Sequence, residues 1–400
     1  MPVGVVVLCF TLMLVGHGTL STFPVFLPEM AAALPYSRST LAGILSVSML
    51  TGGLLSPAVG WLIDRFGPRL VILLGLGVAS AGPVLAAASD TIAPFYAGLG
   101  LMAGFGFAAL GPVTNAALIR RWWRRNTGTA LGIVFSASGI GILIMAPLAR
   151  ILIEAVGWRW AFVGLGSTTA VMIPVVALLP WRRLTAGLPA PTGVDPTMPV
   201  LPAALAVDMA GAIHTRAFWG LFMVFLFTGT STMCLNAHMV TLMVEEGIAP
   251  LKAATIFGIS GALAPLGTVG FGWLADRFGN RRAAAASYSL TLIAASLLLP
   301  AAAGADPVLL TLVIGAFGLS AGSRAPIVAA IAARLVAGPG FGRIYGFVSM
   351  GGGIGSAIGI FAGGLAHDLT GSAHAIVWIA GGSAMLGALP FFTIRAIGRA

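Results

Sequence analysis

GWLIDRFGPR (60–69) returns as GWLADRFGNR (272–281), 212 residues further along, with eight of ten positions identical. Each copy closes a long apolar run, and a ten-residue signature repeated at that distance marks an internally duplicated chain. Apolar runs near 4–29, 39–63, 70–88, 93–119, 128–154 and 160–180 are long enough to cross roughly 30 Å of hydrocarbon. A second set falls near 217–243, 253–275, 284–303, 308–333, 344–366 and 373–394. The expectation is an all-α membrane protein of twelve transmembrane helices in two six-helix repeats. Parallel repeats of this kind are a common way to build a carrier. The repeat also extends past its signature. At an offset of 214, TGTALGIVFSASGIG (127–141) lies over FGRIYGFVSMGGGIG (341–355), and Arg120 lies over Arg334.

Composition agrees with a lipid-embedded chain. It is 58% hydrophobic and 8% charged over 400 residues, with a mean hydropathy of +1.02, whereas soluble domains carry about 25% charged residues. Fifty-five glycines suit helices that pack backbone to backbone in a bilayer. Cys9 and Cys234 lie in apolar runs without metal-ligand or disulfide spacing and read as small apolar fillers. The opening MPVGVVVLCFTLMLVGHGTL lacks a basic stretch and a small-residue cleavage site, so it reads as a retained first helix. Between the repeats, residues 181–216 hold five prolines from Pro189 to Pro202 and read as a linker, with a short surface helix near 203–213. The expected organisation is thus a bundle at 1–180, a cytoplasmic linker at 181–216 and a second bundle at 217–400.

The net charge of +10 invites a nucleic-acid reading, but its placement argues for topology. With the amino terminus inside, the inner loops and tail hold sixteen of the 21 basic residues: Arg65, Arg69, Arg120, Arg121, Arg124, Arg125, Arg182, Arg183, Arg216, Arg277, Arg281, Arg282, Arg334, Arg343, Arg395 and Arg399. The outer loops hold Arg38, Arg150, Arg159 and Lys252. This positive-inside bias places both termini in the cytoplasm of a plasma (inner) membrane protein, without nucleic acid as a partner.

Twelve spans as six plus six, a central linker and two G-x-x-x-D-R-x-G-x-R loops resemble the major facilitator superfamily over essentially the whole chain. Within it, the monocarboxylate and oxalate:formate branch is most similar. That likeness rests on PYSRSTLAGILSVSML (35–50), RWWRRNTGTALGIVFSASGIG (121–141), RAFWGLFMVFLFTG (216–229), GSRAPIVAAIAARL (322–335) and GLAHDLTGS (364–372). The resemblance implies that the first, fourth, seventh and tenth helices line a central cavity, and that the loop motif steadies the outward-open state. Two departures stand out. Thr268 occupies the place where that branch often carries an arginine in its eighth helix, and His17 stands on the first helix where eukaryotic members carry an acid.

Arg324 is the one formally charged side chain deep in a predicted span, and no Asp or Glu lies deep enough to pair with it. An arginine at a helix centre costs about 2.5–3.5 kcal/mol on insertion scales, so it is expected to face a cavity and meet an anion. Its planar fork suits a carboxylate. His17, at similar depth, is a candidate for coupling protons or for donating to a carboxylate, and His238 is a second coupling candidate. Asn115, Ser136, Asn236, Tyr345 and Ser349 are candidate ligands, although hydroxyl and amide groups in membrane helices more often bridge neighbours. Asp64, Arg65, Arg69, Asp276, Arg277 and Arg281 form a candidate cytoplasmic gate; Asp64, at its own helix's C-terminus, gets no help from that helix's dipole. Glu29, Glu154, Glu245 and Glu246 mark outer edges and are expected to be solvated.

No phosphate loop, catalytic triad or metal cluster stands out, so neither an enzyme nor a cofactor is expected. The sequence points to a secondary transporter of a small organic anion, a mono- or dicarboxylate, working by alternating access. Protons are the expected coupling ion, the lipid bilayer is its surroundings, and a monomer is its expected form. Anion:anion exchange, proton-driven efflux of drugs or amphiphiles, and a non-transporting membrane sensor or scaffold are the alternatives.

Overall fold

The computed structural model describes residues 2–123, 125–188, 209–304, 306–336 and 340–398. Eleven helical stretches among them are long and apolar enough to cross a membrane. The longest, Thr127–Leu178, takes a non-helical φ of 81° and ψ of 159° at Gly157, a conformation open to glycine, and so divides into two spans. The twelve are α1 (Pro2–Ala33), α2 (Arg38–Phe66), α3 (Pro68–Ala87), α4 (Ile92–Ile119), α5 (127–156) and α6 (158–178) in the first half. The second half holds α7 (Arg216–Glu245), α8 (Pro250–Phe278), α9 (Asn280–Ala303), α10 (Pro307–Leu335), α11 (Phe341–Thr370) and α12 (Ala373–Thr393).

Local chemistry sets several helix starts. Ser37 begins α2 by accepting from Thr40 N, Thr215 does the same for α7 at Phe218 N, and Asp306 opens α10 by accepting from Val308 N and Leu309 N. Large apolar side chains such as Leu178, Phe361 and Trp378 point outward, as lipid-facing residues must. Cys9 and Cys234 are buried and free.

The structure departs from the sequence expectation at three places. A single residue, Gly157, replaces an expected loop between the fifth and sixth spans. The first span continues through a 3-10 turn, Phe23–Phe26, to Ala33. Of the expected linker, 189–208 lies outside the described residues; around it stand short helices at Trp181–Ala186 and Met209–Ala212, and α7 begins at Arg216.

Two helices are broken at mid-length. α4 stops at Leu110 and restarts at Pro112, with Gly111 extended (φ −87°, ψ −160°), as residues before proline prefer. α10 stops at Ser320 and restarts at Arg324, with Gly322 at a φ of 75°. Such gaps expose backbone carbonyls, and hydroxyl and amide side chains at the break bond to carbonyls there. Thr114 Oγ1 donates to Ala109 O (2.6 Å), and Asn115 Nδ2 donates to Leu110 O (2.8 Å) and Gly111 O (2.9 Å). In α10, Ser320 Oγ donates to Phe317 O (3.0 Å) and Ser323 Oγ to Ser320 O (2.7 Å).

The halves meet along two seams. Gly60 of α2 lies against the Gly342 carbonyl of α11, and Gly128 of α5 against the Gly272 carbonyl of α8; a Cβ on Gly128 would stand 2.7 Å from Gly272 O. Gly60 and Gly272 are the leading glycines of the two repeated motifs, so the signature residues bring the backbones into contact.

Candidate functional site

Between the halves lies a cavity of about 290 Å³, walled by residues from α2, α4, α7, α10 and α11. Met49, Phe107, Val113, Val224, Phe225 and Val328 make it largely apolar; Thr228, Thr232, Ser349 and Arg324 supply polarity. Arg324 is 2% exposed. Its Nη2 donates to Ser287 O (3.1 Å) and to Thr291 Oγ1, its Nη1 donates to Thr232 Oγ1 (3.3 Å), and the guanidinium lies 4.3 Å over the Tyr288 ring. Tyr288 is held in turn by Thr228 (2.8 Å). Arg324 Nε has no hydrogen-bond partner, and among the described residues no carboxylate pairs with Arg324. The side chain is thus aimed by neutral groups, with donor capacity left over and its charge uncompensated.

The other candidates scatter. Ser349 lines the cavity with Arg324. His17 is not on the wall: it sits behind Phe107, ring centroids 3.9 Å apart, with Nε2 unpartnered. Asn115 is wholly buried, with its Nδ2 given to the α4 break and its Oδ1 without a hydrogen-bond partner. Ser136 Oγ donates to Ile133 O (2.8 Å) within α5, and Tyr345 is buried and stacked on Phe341. Asn236 and His238 lie on α7 away from the cavity, and His238 Nε2 is 3.1 Å from Ile360 O of α11.

At the end that carries the repeated loops, hereafter the motif end, two aspartates cross between the halves. Asp64 at the end of α2 accepts from Gly342 N (2.9 Å) and Arg343 N (2.8 Å), the first residues of α11. Asp276 at the end of α8 accepts from Gly128 N (3.1 Å), Thr129 N (2.6 Å) and Thr129 Oγ1 (2.8 Å), at the start of α5. Each closes its own helix yet caps the positive end of a helix from the opposite half. The dipole that bears on Asp64 is thus that of α11 and not that of its own helix.

The motif arginines behave otherwise. Arg65 lies over Trp61 (5.4 Å), Arg69 donates to Ala177 O (3.0 Å), Arg281 lies over Phe392 (4.8 Å), and Arg277 is exposed; each contact stays in its own half. Two arginines outside the motif take part instead. Arg334 Nη2 reaches Asp276 Oδ1 (3.2 Å), while Arg120 donates to Val336 O across the halves (2.8 Å) and lies 4.3 Å over Phe341. Burial and then Arg121 push the Arg120 guanidinium down to about 10, and Asp64 opposes that shift. At the far end, Arg150 bridges Glu29 (3.0 Å) and Glu154 (2.7 Å), and Glu245 meets His367 (3.2 Å), all within one half or the other.

The sequence profile of the Major Facilitator Superfamily matches residues 8–315 and, overlapping them, 266–399. The chain belongs to the major facilitator superfamily. Its relatives include monocarboxylate transporter 13 of Rattus norvegicus, 28% identical over 94% of this chain and 86% of that protein. Monocarboxylate transporter 11 of Homo sapiens is 29% identical over 92% of this chain and 77% of that protein. Among solved structures, the proton:xylose symporter XylE superposes with a TM-score of 0.71 at 13% identity, covering 98% of this chain and 95% of that one. FucP in its outward conformation gives 0.69 at 17% identity, with 96% and 97% covered. At these identities the structures establish the major facilitator fold alone.

Several residues of this major facilitator site escape a reading of the sequence. Thr232, Thr291, Tyr288 and Ser287 aim Arg324, but in sequence they are ordinary helix residues among many. Arg120 and Arg334 did carry a signal, their exact overlay at the 214-residue offset. That overlay tied them to the repeat; their contacts with Asp276, Val336 and Phe341 became visible only with the helices in place.

Proposed function

We propose that this chain carries a small organic anion across the membrane by alternating access, with Arg324 as the carboxylate anchor. The observation that carries the reading is an arginine on the cavity wall, buried and, among the described residues, without an acid partner. The monocarboxylate transporter names of its relatives support it. The cavity favours one carboxylate over two: a second would sit against Met49, Val113, Val224 or Phe225 with no cation to meet it, and burying an unpaired charge is costly. Both termini lie in the cytoplasm of the plasma membrane in this reading, so the aspartate latches close the inner side and the cavity is served from outside. The chain works as a monomer of two bundles, 1–180 and 217–400, joined by 181–216.

The coupling ion in this reading is a proton, with His17 as its carrier and His238 as a lesser candidate. Anion exchange is the second reading, favoured by one observation: His17 stands behind Phe107 instead of on the cavity wall. Uptake of radiolabelled monocarboxylates into liposomes, with and without an imposed pH gradient, tests both. Wild-type uptake that falls at least tenfold in Arg324→Gln supports the anchor, as the loss of a charged hydrogen bond worth about 1.5–3 kcal/mol predicts. Equal uptake by the two proteins overturns it, and uptake indifferent to the gradient favours exchange.

A further inference from the structure

Arg324 is not only buried; it is the first residue of a helix. α10 breaks at 321–323 and restarts as Arg324–Leu335, so the guanidinium is built onto the positive end of a twelve-residue half-helix. A cation at a helix N-terminus is placed against the dipole, and here both positive features share an interior where charges are poorly screened. Acids or hydroxyls commonly relieve such an end. In this protein they do not: Ser323, at the capping position, makes no side-chain cap. Its Oγ is spent on Ser320 O (2.7 Å) and Ser287 Oγ (2.6 Å), while Ser320 Oγ serves Phe317 O. The break's hydroxyls therefore serve carbonyls and leave the half-helix that begins without a side-chain cap.

That terminus faces the cavity. Gly322 and Ala325 line it beside Arg324, and both keep exposure there while Ser323, Arg324 and Pro326 are buried. The turn's own N–H bonds are long, with Ser323 N to Ser320 O and Ala325 N to Gly322 O both at 3.3 Å. Arg324 Nε, buried and without a hydrogen-bond partner, belongs to the first residue of that same half-helix. The paired break in α4 lacks this arrangement: Leu110 holds the position 214 residues before Arg324, and the restart begins with Pro112, which has no N–H.

We infer that the broken α10 makes a composite anion subsite, in which one carboxylate is held jointly by Arg324 and by the N-terminus at 322–325. This rests on the reading of Arg324 as the anchor and adds to it a second, backbone element that a lone arginine would not need. It also gives the break a purpose, since an unbroken helix would present no free terminus at this depth.

The test is a pair of substitutions at Ala325, which points into the cavity within the first turn. Ala325→Asp supplies an internal carboxylate for the same terminus and the same guanidinium, and Ala325→Asn matches its shape without the charge. In full-length purified protein, the ligand-free melting temperature of Ala325→Asp is expected to rise above that of Ala325→Asn. Its thermal response to a monocarboxylate series from formate to benzoate should weaken at least about tenfold more than that of Ala325→Asn. Equal effects of Asp and Asn on both readouts would make the site steric and overturn the inference. In crystals soaked with bromide, anomalous density belongs within hydrogen-bonding reach of both the 323–325 backbone and Arg324; density at neither, or at Arg324 alone, also overturns it. Failure of the underlying reading looks different: wild type and Arg324→Gln would respond alike, whatever happens at Ala325.

Discussion

Replacing Asp276 by asparagine should open the motif end. The side chain is 5% exposed and serves as acceptor for two backbone N–H groups of α5, one hydroxyl and Arg334. Asparagine keeps one carbonyl oxygen, enough for Gly128 N. It turns an N–H toward Thr129 N, where the wild type has a 2.6 Å bond. Losing one charge-assisted bond costs about 1.5–3 kcal/mol, and losing the anion at the α5 terminus adds about 0.3–1 kcal/mol. A total of about 2–4 kcal/mol corresponds to a shift of roughly 30- to 1,000-fold toward separated halves. The assay is a distance measurement between spin labels at Phe66→Cys and Phe278→Cys. Both positions are exposed, at the ends of α2 and α8, and the buried Cys9 and Cys234 stay unlabelled. Asp276→Asn should add a long-distance population that the exposed Arg277→Gln does not. An unchanged distribution would refute the view that this aspartate holds the halves together.

Four further outcomes are expected. Arg324→Lys should transport little better than Arg324→Gln, because an ammonium cannot reproduce a fork that reaches Ser287, Thr291 and Thr232 together; liposome uptake measures this. Gly128→Val should lower the melting temperature by an amount equivalent to about 1–3 kcal/mol, since even its Cβ would stand 2.7 Å from Gly272 O and 3.1 Å from Asp276 Oδ1. Phe107→Ala should join the central cavity to a smaller one of about 40 Å³ that also has Phe107 in its wall, and bulkier carboxylates should then compete better for uptake. His17→Gln should abolish the response of uptake to a pH gradient while binding persists; a full response assigns coupling elsewhere or to exchange.

The repeat and the span count were legible because they depend on residue identity and hydrophobic length, both of which are written residue by residue. Arg324 was legible because a charge in an apolar run has few explanations. What stayed hidden depended on which helices become neighbours. Asp64 reads as badly placed until α11 brings Gly342 and Arg343 to it. Asn115 reads as a ligand until the α4 break gives it two carbonyls to satisfy. The breaks themselves were partly written, since Gly111 precedes Pro112 and Gly322 stands alone before Arg324. Glycine and proline are so frequent in this chain, at 55 and 24 residues, that neither marks a break unaided.

Both aspartates that cross between the halves take main-chain amides, and this bears on how a duplicated protein can age. Gly342 and Arg343 on one side do the work that Gly128 and Thr129 do on the other. An amide is present whatever the side chain, proline excepted. Arg343 can therefore drift without loosening the grip, whereas Thr129 also gives Asp276 its hydroxyl (2.8 Å), and the acid and the leading glycine cannot change. Two copies of one ancestral bundle could in this way diverge through their interiors, one acquiring an arginine and the other a leucine, and still close on each other.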